Sequence, residues 1–118
     1  MGLLDFGTKA QVENLASHIG VGMQLIEEEI KKSSNKSTST IRGLASGLMD
    51  EKNKLVILIS SLTQSTRENL KIRYKNQKIP YFTFIQEMKL VSDKVDNITG
   101  INFFNRTITK DGVTRQVK

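Results

Sequence analysis

Apolar residues recur at spacings of three and four along most of this chain, and that period constrains the fold more than any other feature. Val12, Leu15, Ile19, Met23, Ile26 and Ile30 trace one stripe, and Ile41, Leu44, Leu48, Leu55, Leu58 and Leu62 a second. Phe84, Met88, Val91, Val95 and Ile98 trace a third, in strict 4-3-4-3 order. A helix completes a turn in about 3.6 residues, so each stripe falls on one helix face. Stripes this narrow mark coiled-coil or antiparallel bundle packing. The expected fold is therefore mainly α: a helical hairpin or three-helix bundle with coiled-coil-like seams.

Local signals set the boundaries. Residues 1–100 read as a helical region, with helices at about 8–32, 40–75 and 81–99 and a polar linker at 33–39. Thr8 with Gln11 and Thr83 with Gln86 have the form of capping boxes. Pro80 forces Ile79 into an extended conformation, and Gly100 suits the position just past a helix end. The run Leu55–Ile59 is short enough to be a buried strand. The absence of flanking Gly or Pro, and the period continuing on both sides, favour helix, with a break near Ser60–Ser61 or Ser65 as the alternative to one long element. Gly20 and Gly22 each weaken the first helix by roughly 1 kcal/mol relative to Ala, which suggests a bend or a close approach there. Gly43 and Gly47, one turn apart, would permit close helix–helix packing.

The tail changes period. Residues 101–118 read as a β-hairpin around Asp111-Gly112, a strong two-residue turn signal. In that register Lys110 faces Val113, Ile108 faces Arg115 and Arg106 faces Val117. A hairpin alone is marginal, so it must pack on a helix or on a partner.

Composition excludes several chemistries. The 118 residues contain no cysteine, which removes disulfides, thiolate metal sites and cysteine nucleophiles. The single histidine, His18, rules out within one chain any site that needs two imidazoles. Glu27 to Glu29 and Asp50-Glu51 have no partnering histidines, and no glycine-rich phosphate loop or activated nucleophile is evident. No enzyme activity, cofactor, metal or small-molecule substrate is expected. The longest apolar run, Leu55–Ile59, is far below the ~20 residues of a membrane helix, so no membrane insertion is expected. The N-terminal residues lack a basic segment and a cleavage site, and Phe6 stands where myristoylation wants Ser or Thr. A cytoplasmic or virion-associated location follows as an expectation, and a composition rich in Lys, Asn, Ile and Ser suits a phage, viral or mobile-element protein.

The net charge of +6 is unevenly distributed. Residues 1–32 are net −2, whereas residues 55–79 carry five basic groups against one acidic group. Read as a helix, Arg67, Lys71, Lys75 and Lys78 form a single stripe able to neutralise successive phosphates. Arg73 adds charge and Tyr74 a stacking surface. The tail adds Arg106, Lys110 and Arg115. Two functions follow as expectations. The first is a non-enzymatic structural or adaptor subunit of a homo-oligomer or a complex with a protein partner. Its interface would be Phe84, Met88, Val91, Val95 and Ile98 on the third helix with Ile108, Val113 and Val117 on the hairpin. The alternative is a basic nucleic-acid-binding accessory protein that uses the 67–78 segment, with the hairpin as a second contact.

Overall fold

The computed structural model describes residues 3–32 and 37–117, with side chains from residue 7 onward. Among the described residues four helices and two small antiparallel sheets follow in the order α1 (Leu3–Lys31), α2 (Thr38–Ser60), α3 (Gln64–Glu68), β1 (Lys71–Tyr74), β2 (Gln77–Pro80), α4 (Tyr81–Thr99), β3 (Ile101–Asn102), β4 (Thr107–Lys110) and β5 (Val113–Gln116). The chain is mainly helical, a helical hairpin with a β-sheet at its C-terminal end. Part of the polar linker, residues 33–36, lies outside the described residues.

α1 starts earlier than the Thr8 signal indicates. Thr8 and Gln11 sit inside the helix, so their pairing is not a cap. Val12, Ala16, Ile19, Met23 and Ile26 are fully buried along its inner face. Gly20 and Gly22 are points of close approach. A Cβ on Gly20 would lie 2.9 Å from the Tyr74 ring, and one on Gly22 would lie 2.8 Å from a Leu48 methyl. Gly43 and Gly47 do the opposite of what their spacing suggests: both face open space and bring no helix close. At the α1–α2 junction Glu29 accepts the Ser37 backbone N–H at 2.7 Å, and the Ser37 hydroxyl caps α2 by accepting from Thr40 N–H at 3.2 Å. The Lys32 ammonium, then the Ser37 N–H, hold the Glu29 carboxyl below its ordinary value. Farther along, His18 Nε2 lies 3.2 Å from Glu51 and ties the two helices on their outer side.

The second helix does not run to residue 75. Leu55–Ile59 is helical, but α2 ends at Ser60, where the Ser60 and Ser61 hydroxyls donate to the Ile57 and Leu58 carbonyls at 2.6 and 2.8 Å. These hydroxyls satisfy carbonyls that the next turn would have used. A new short helix, α3, is then capped by Thr63. Beyond it the chain adopts a period of two. Ile72 and Tyr74 are buried while Lys71 and Arg73 are exposed, the signature of a half-buried strand. β1 and β2 are joined by Lys75-Asn76, both at positive φ, which matches the twist of a tight hairpin.

α4 opens directly after Pro80, without a side-chain cap, and so begins ahead of Thr83. Gly100 ends it in the left-handed region at φ +77°, donating its N–H to Asp96 at 2.8 Å. The tail pairs in the expected register, Ile108 with Arg115 and Lys110 with Val113, around a turn with positive φ at Asp111 and Gly112. The sequence reading lacked one strand: β3 pairs Ile101 with Ile108 and makes the hairpin a three-stranded sheet, ordered β3-β4-β5. A buried Ser92–Asn102 hydrogen bond of 2.7 Å anchors that sheet to α4, and Ser92 also accepts the Phe104 N–H.

The α4 seam is consumed within the chain. Phe84, Met88 and Val95 are fully buried and Val91 is 3% exposed, in one core with α1, α2 and β1. Ile98 packs against the same core. These residues are therefore not an interface for a second molecule. The expectation of an external seam fails because Tyr74, Leu48, Ile72 and Phe103 supply the apolar surface that a partner helix would have provided.

Candidate nucleic-acid interface

The expected stripe of Arg67, Lys71, Lys75 and Lys78 on one helix does not exist, because β1 and β2 replace the helix. The hairpin instead sorts these residues by strand alternation. Lys71 and Arg73 project from one face of β1; opposite them on β2 stand Pro80 and Lys78. All four are exposed. Arg73 and Lys78 are direct cross-strand partners, and Arg67, on α3 just upstream, is exposed as well. Among the described residues none of the four cations Arg67, Lys71, Arg73 and Lys78 makes an ion pair.

Two members of the expected site have structural work instead. Tyr74 is only 3% exposed, with its ring edge-on to Phe84 at 5.8 Å, so no base can stack on it. Its hydroxyl donates to Glu27 at 3.2 Å. Burial first, then the Glu27 charge, raise the Tyr74 hydroxyl well above its ordinary value, so it remains a neutral donor. Lys75 bends back over the Tyr74 ring and pairs with Glu27 at 3.4 Å. Lys94 of α4 reaches the other Glu27 oxygen at 3.4 Å. Burial acts to raise the Glu27 carboxyl. The Lys75 charge and hydrogen bond, the Lys94 charge and the Tyr74 hydroxyl outweigh it and hold the carboxyl below its ordinary value. Glu27 thus fastens the hairpin turn to α1 and α4 and leaves the outer-face cations free.

The tail residues form a separate group. The β1–β2 hairpin precedes α4 and the β3–β5 sheet follows it, and the two sheets share no strand. Lys110 and Arg115 are exposed on the tail sheet, on the same face as Ile108 and Val113. Arg106 is not an outer-surface group. It is half-buried at φ +56°, and its Nε has no hydrogen-bond partner among the described residues. Nearby, Lys52 stands 4.6 Å above the Phe104 ring; burial, then the Arg106 charge, lower the Lys52 ammonium. Val117 is half-buried against the core, which leaves Ile108 and Val113 as the exposed members of the expected hairpin interface.

The sequence reading missed the flank of the hairpin. Gln64, Arg67 and Glu68 of α3 face Pro80, Tyr81 and Phe82 across an open cleft of about 520 Å³. Phe82 is 71% exposed. A signal for it existed: it lies two residues before Phe84 and so falls off the α4 seam, where an aromatic has no core to join. Burial pushes the Tyr81 hydroxyl up to about 12, which keeps it neutral.

No protein-family model matches the chain, and no curated protein or solved structure matches it significantly. Among the described residues no helix is long and apolar enough to cross a membrane.

Proposed function

We propose that this chain is a non-enzymatic nucleic-acid-binding protein that engages phosphates with the outer face of the β1–β2 hairpin. The observation that carries the reading is the Arg73–Lys78 cross-strand pair with Lys71 beside it, all exposed and with no side-chain ion pair among the described residues; the Glu13 carboxylate accepts only the Lys71 backbone N–H, at 3.1 Å. Like charges directly opposite on a sheet are destabilising, so an arrangement of this kind gains when an external polyanion neutralises it. Phosphate contacts release condensed counterions, which makes such binding strong at low salt and steeply salt-dependent. The test is fluorescence anisotropy with a labelled oligonucleotide. Measurable binding at ~50 mM salt, lost as salt rises and reduced sharply by Arg73→Ala with Lys78→Ala, supports the reading. Absence of binding at that salt overturns it.

A second reading, assembly, rests on the tail sheet. β5 is an edge strand whose four residues are all exposed, Val113 to 54%, and Ile108 on the neighbouring β4 is 36% exposed. A free edge with apolar neighbours is a template for strand pairing with another chain. Light scattering that shows an oligomer dispersed by Val113→Lys supports this reading, and a stable monomer at high micromolar concentration removes self-assembly.

A further inference from the structure

We infer that the cleft between α3 and the first turn of α4 is a base-binding site, so that the ligand of the hairpin is single-stranded nucleic acid. The inference rests on the hairpin being a phosphate-binding face, and it adds what lies next to that face. Pro80 connects the two surfaces: it is the cross-strand partner of Lys71 and also lines the cleft. A strand held along Lys71, Arg73 and Lys78 therefore runs beside the cleft mouth.

The cleft has the chemistry of a base site and lacks that of a phosphate site. Phe82 presents an exposed ring that the fold does not use, since the α4 core residues begin at Phe84. Gln64 Nε2 donates to Glu68 at 3.1 Å, which places an amide and a carboxylate together on the opposite wall. The carboxylate repels a phosphate but accepts a base N–H, whether an exocyclic amine or the ring N3–H of thymine, and the amide oxygen and second N–H remain for other base-edge groups. Arg67 adds a planar cation that stacks on a base or reaches the adjoining phosphate. Bases inside a duplex are stacked and cannot enter such a cleft without unstacking. Unpaired bases enter freely, and stacking on an aromatic ring is sequence-tolerant because every base has a π-face.

The test compares two probes, a labelled oligothymidylate of about 12 nucleotides, within the usual single-strand site size, and inorganic polyphosphate, which carries the charge without bases. Phe82→Ala should weaken oligothymidylate binding about tenfold and leave polyphosphate binding and the helical circular dichroism unchanged. The chain has no tryptophan, so Phe82→Trp creates a unique reporter. Its fluorescence should be quenched by oligothymidylate and not by polyphosphate. Wild-type affinity in Phe82→Ala, or an unquenched Phe82→Trp, overturns the base site while Arg73→Ala with Lys78→Ala still weakens both probes. Failure of both probes to bind at ~50 mM salt overturns the phosphate face itself, and the base site with it.

Discussion

Glu27 shows how one side chain can decide where a cluster of charges points. Its two carboxylate oxygens receive Tyr74, Lys75 and Lys94, so one acidic group joins α1, the β1–β2 turn and α4. Hydrogen bonds to a charged group contribute about 1.5–3 kcal/mol each when well formed, and less where solvent reaches them. Glu27→Gln should therefore lower stability at neutral pH by about 1–2 kcal/mol in urea denaturation. The folded-state carboxyl lies below its ordinary value of 4.5, so the contribution is complete above about pH 4.5 and is lost as pH falls through the depressed folded value. Wild-type and Glu27→Gln stabilities should converge over that acidic window. A gap that persists in acid would show that Glu27 acts through packing and not through its charge. Glu27 was visible in the sequence only as part of an acidic run at a helix C-terminus, an unfavourable place by the dipole argument. Its partners lie 47 to 67 residues away, and no local pattern encodes them.

At the scale of elements, legibility followed the length of the periodic signal. α4 carries five seam positions between a proline and a glycine, and these mark it as a helix, although its start lies ahead of the Thr83 signal. The Asp111-Gly112 turn and its register were equally plain, because the turn chemistry allows few alternatives. β1–β2 was not legible. Each strand has four residues, too few to establish alternation against a 3-4 pattern arriving from α2. The Lys75-Asn76 turn also lacks the glycine that usually marks such hairpins. The difference bears on charge: a helix would spread these cations along one stripe, whereas the hairpin sets two of them face to face. Lys78→Glu turns that opposition into a cross-strand ion pair. Such pairs contribute about 0.2–1 kcal/mol, so the variant should melt about 1–4 °C higher while binding oligonucleotide less tightly. A variant that loses both stability and binding would mean that Arg73 and Lys78 do not repel in the free protein. The α4 seam gives a contrasting expectation. Val91→Asp places an unpaired charge in the core and should destabilise the fold by about 3–5 kcal/mol, read as loss of helical signal. An oligomer that merely dispersed with its helices intact would put the seam on the outside.

Across the whole molecule, the net charge of +6 resolves into basic groups on two separate sheets. The hairpin cations precede α4 in the chain and the tail cations follow it, on two separate sheets. Arg106 is withdrawn from the outer surface, so the tail offers Lys110 and Arg115 on a face shared with Ile108 and Val113. The hairpin offers Lys71, Arg73 and Lys78 with Arg67 beside them and carries no acidic residue of its own. If these four neutralise four phosphates of a single strand, log K should fall with log salt at a slope of about −2.8, from about −0.7 per contact. Removing Arg73 and Lys78 should bring the slope to about −1.4. Lys110→Ala with Arg115→Ala should leave both slope and affinity unchanged for an oligonucleotide of about five nucleotides, whose phosphates the hairpin cations and Arg67 already neutralise. An equal drop in slope from the two double variants would mean that the ligand contacts both sheets, either by lengthwise wrapping or by bridging two copies of the chain. Repeating the titration at several protein concentrations separates those cases, because a bridge between copies depends on protein concentration and wrapping within one copy does not. Only the bridged outcome would make assembly through β5 and phosphate binding parts of one function.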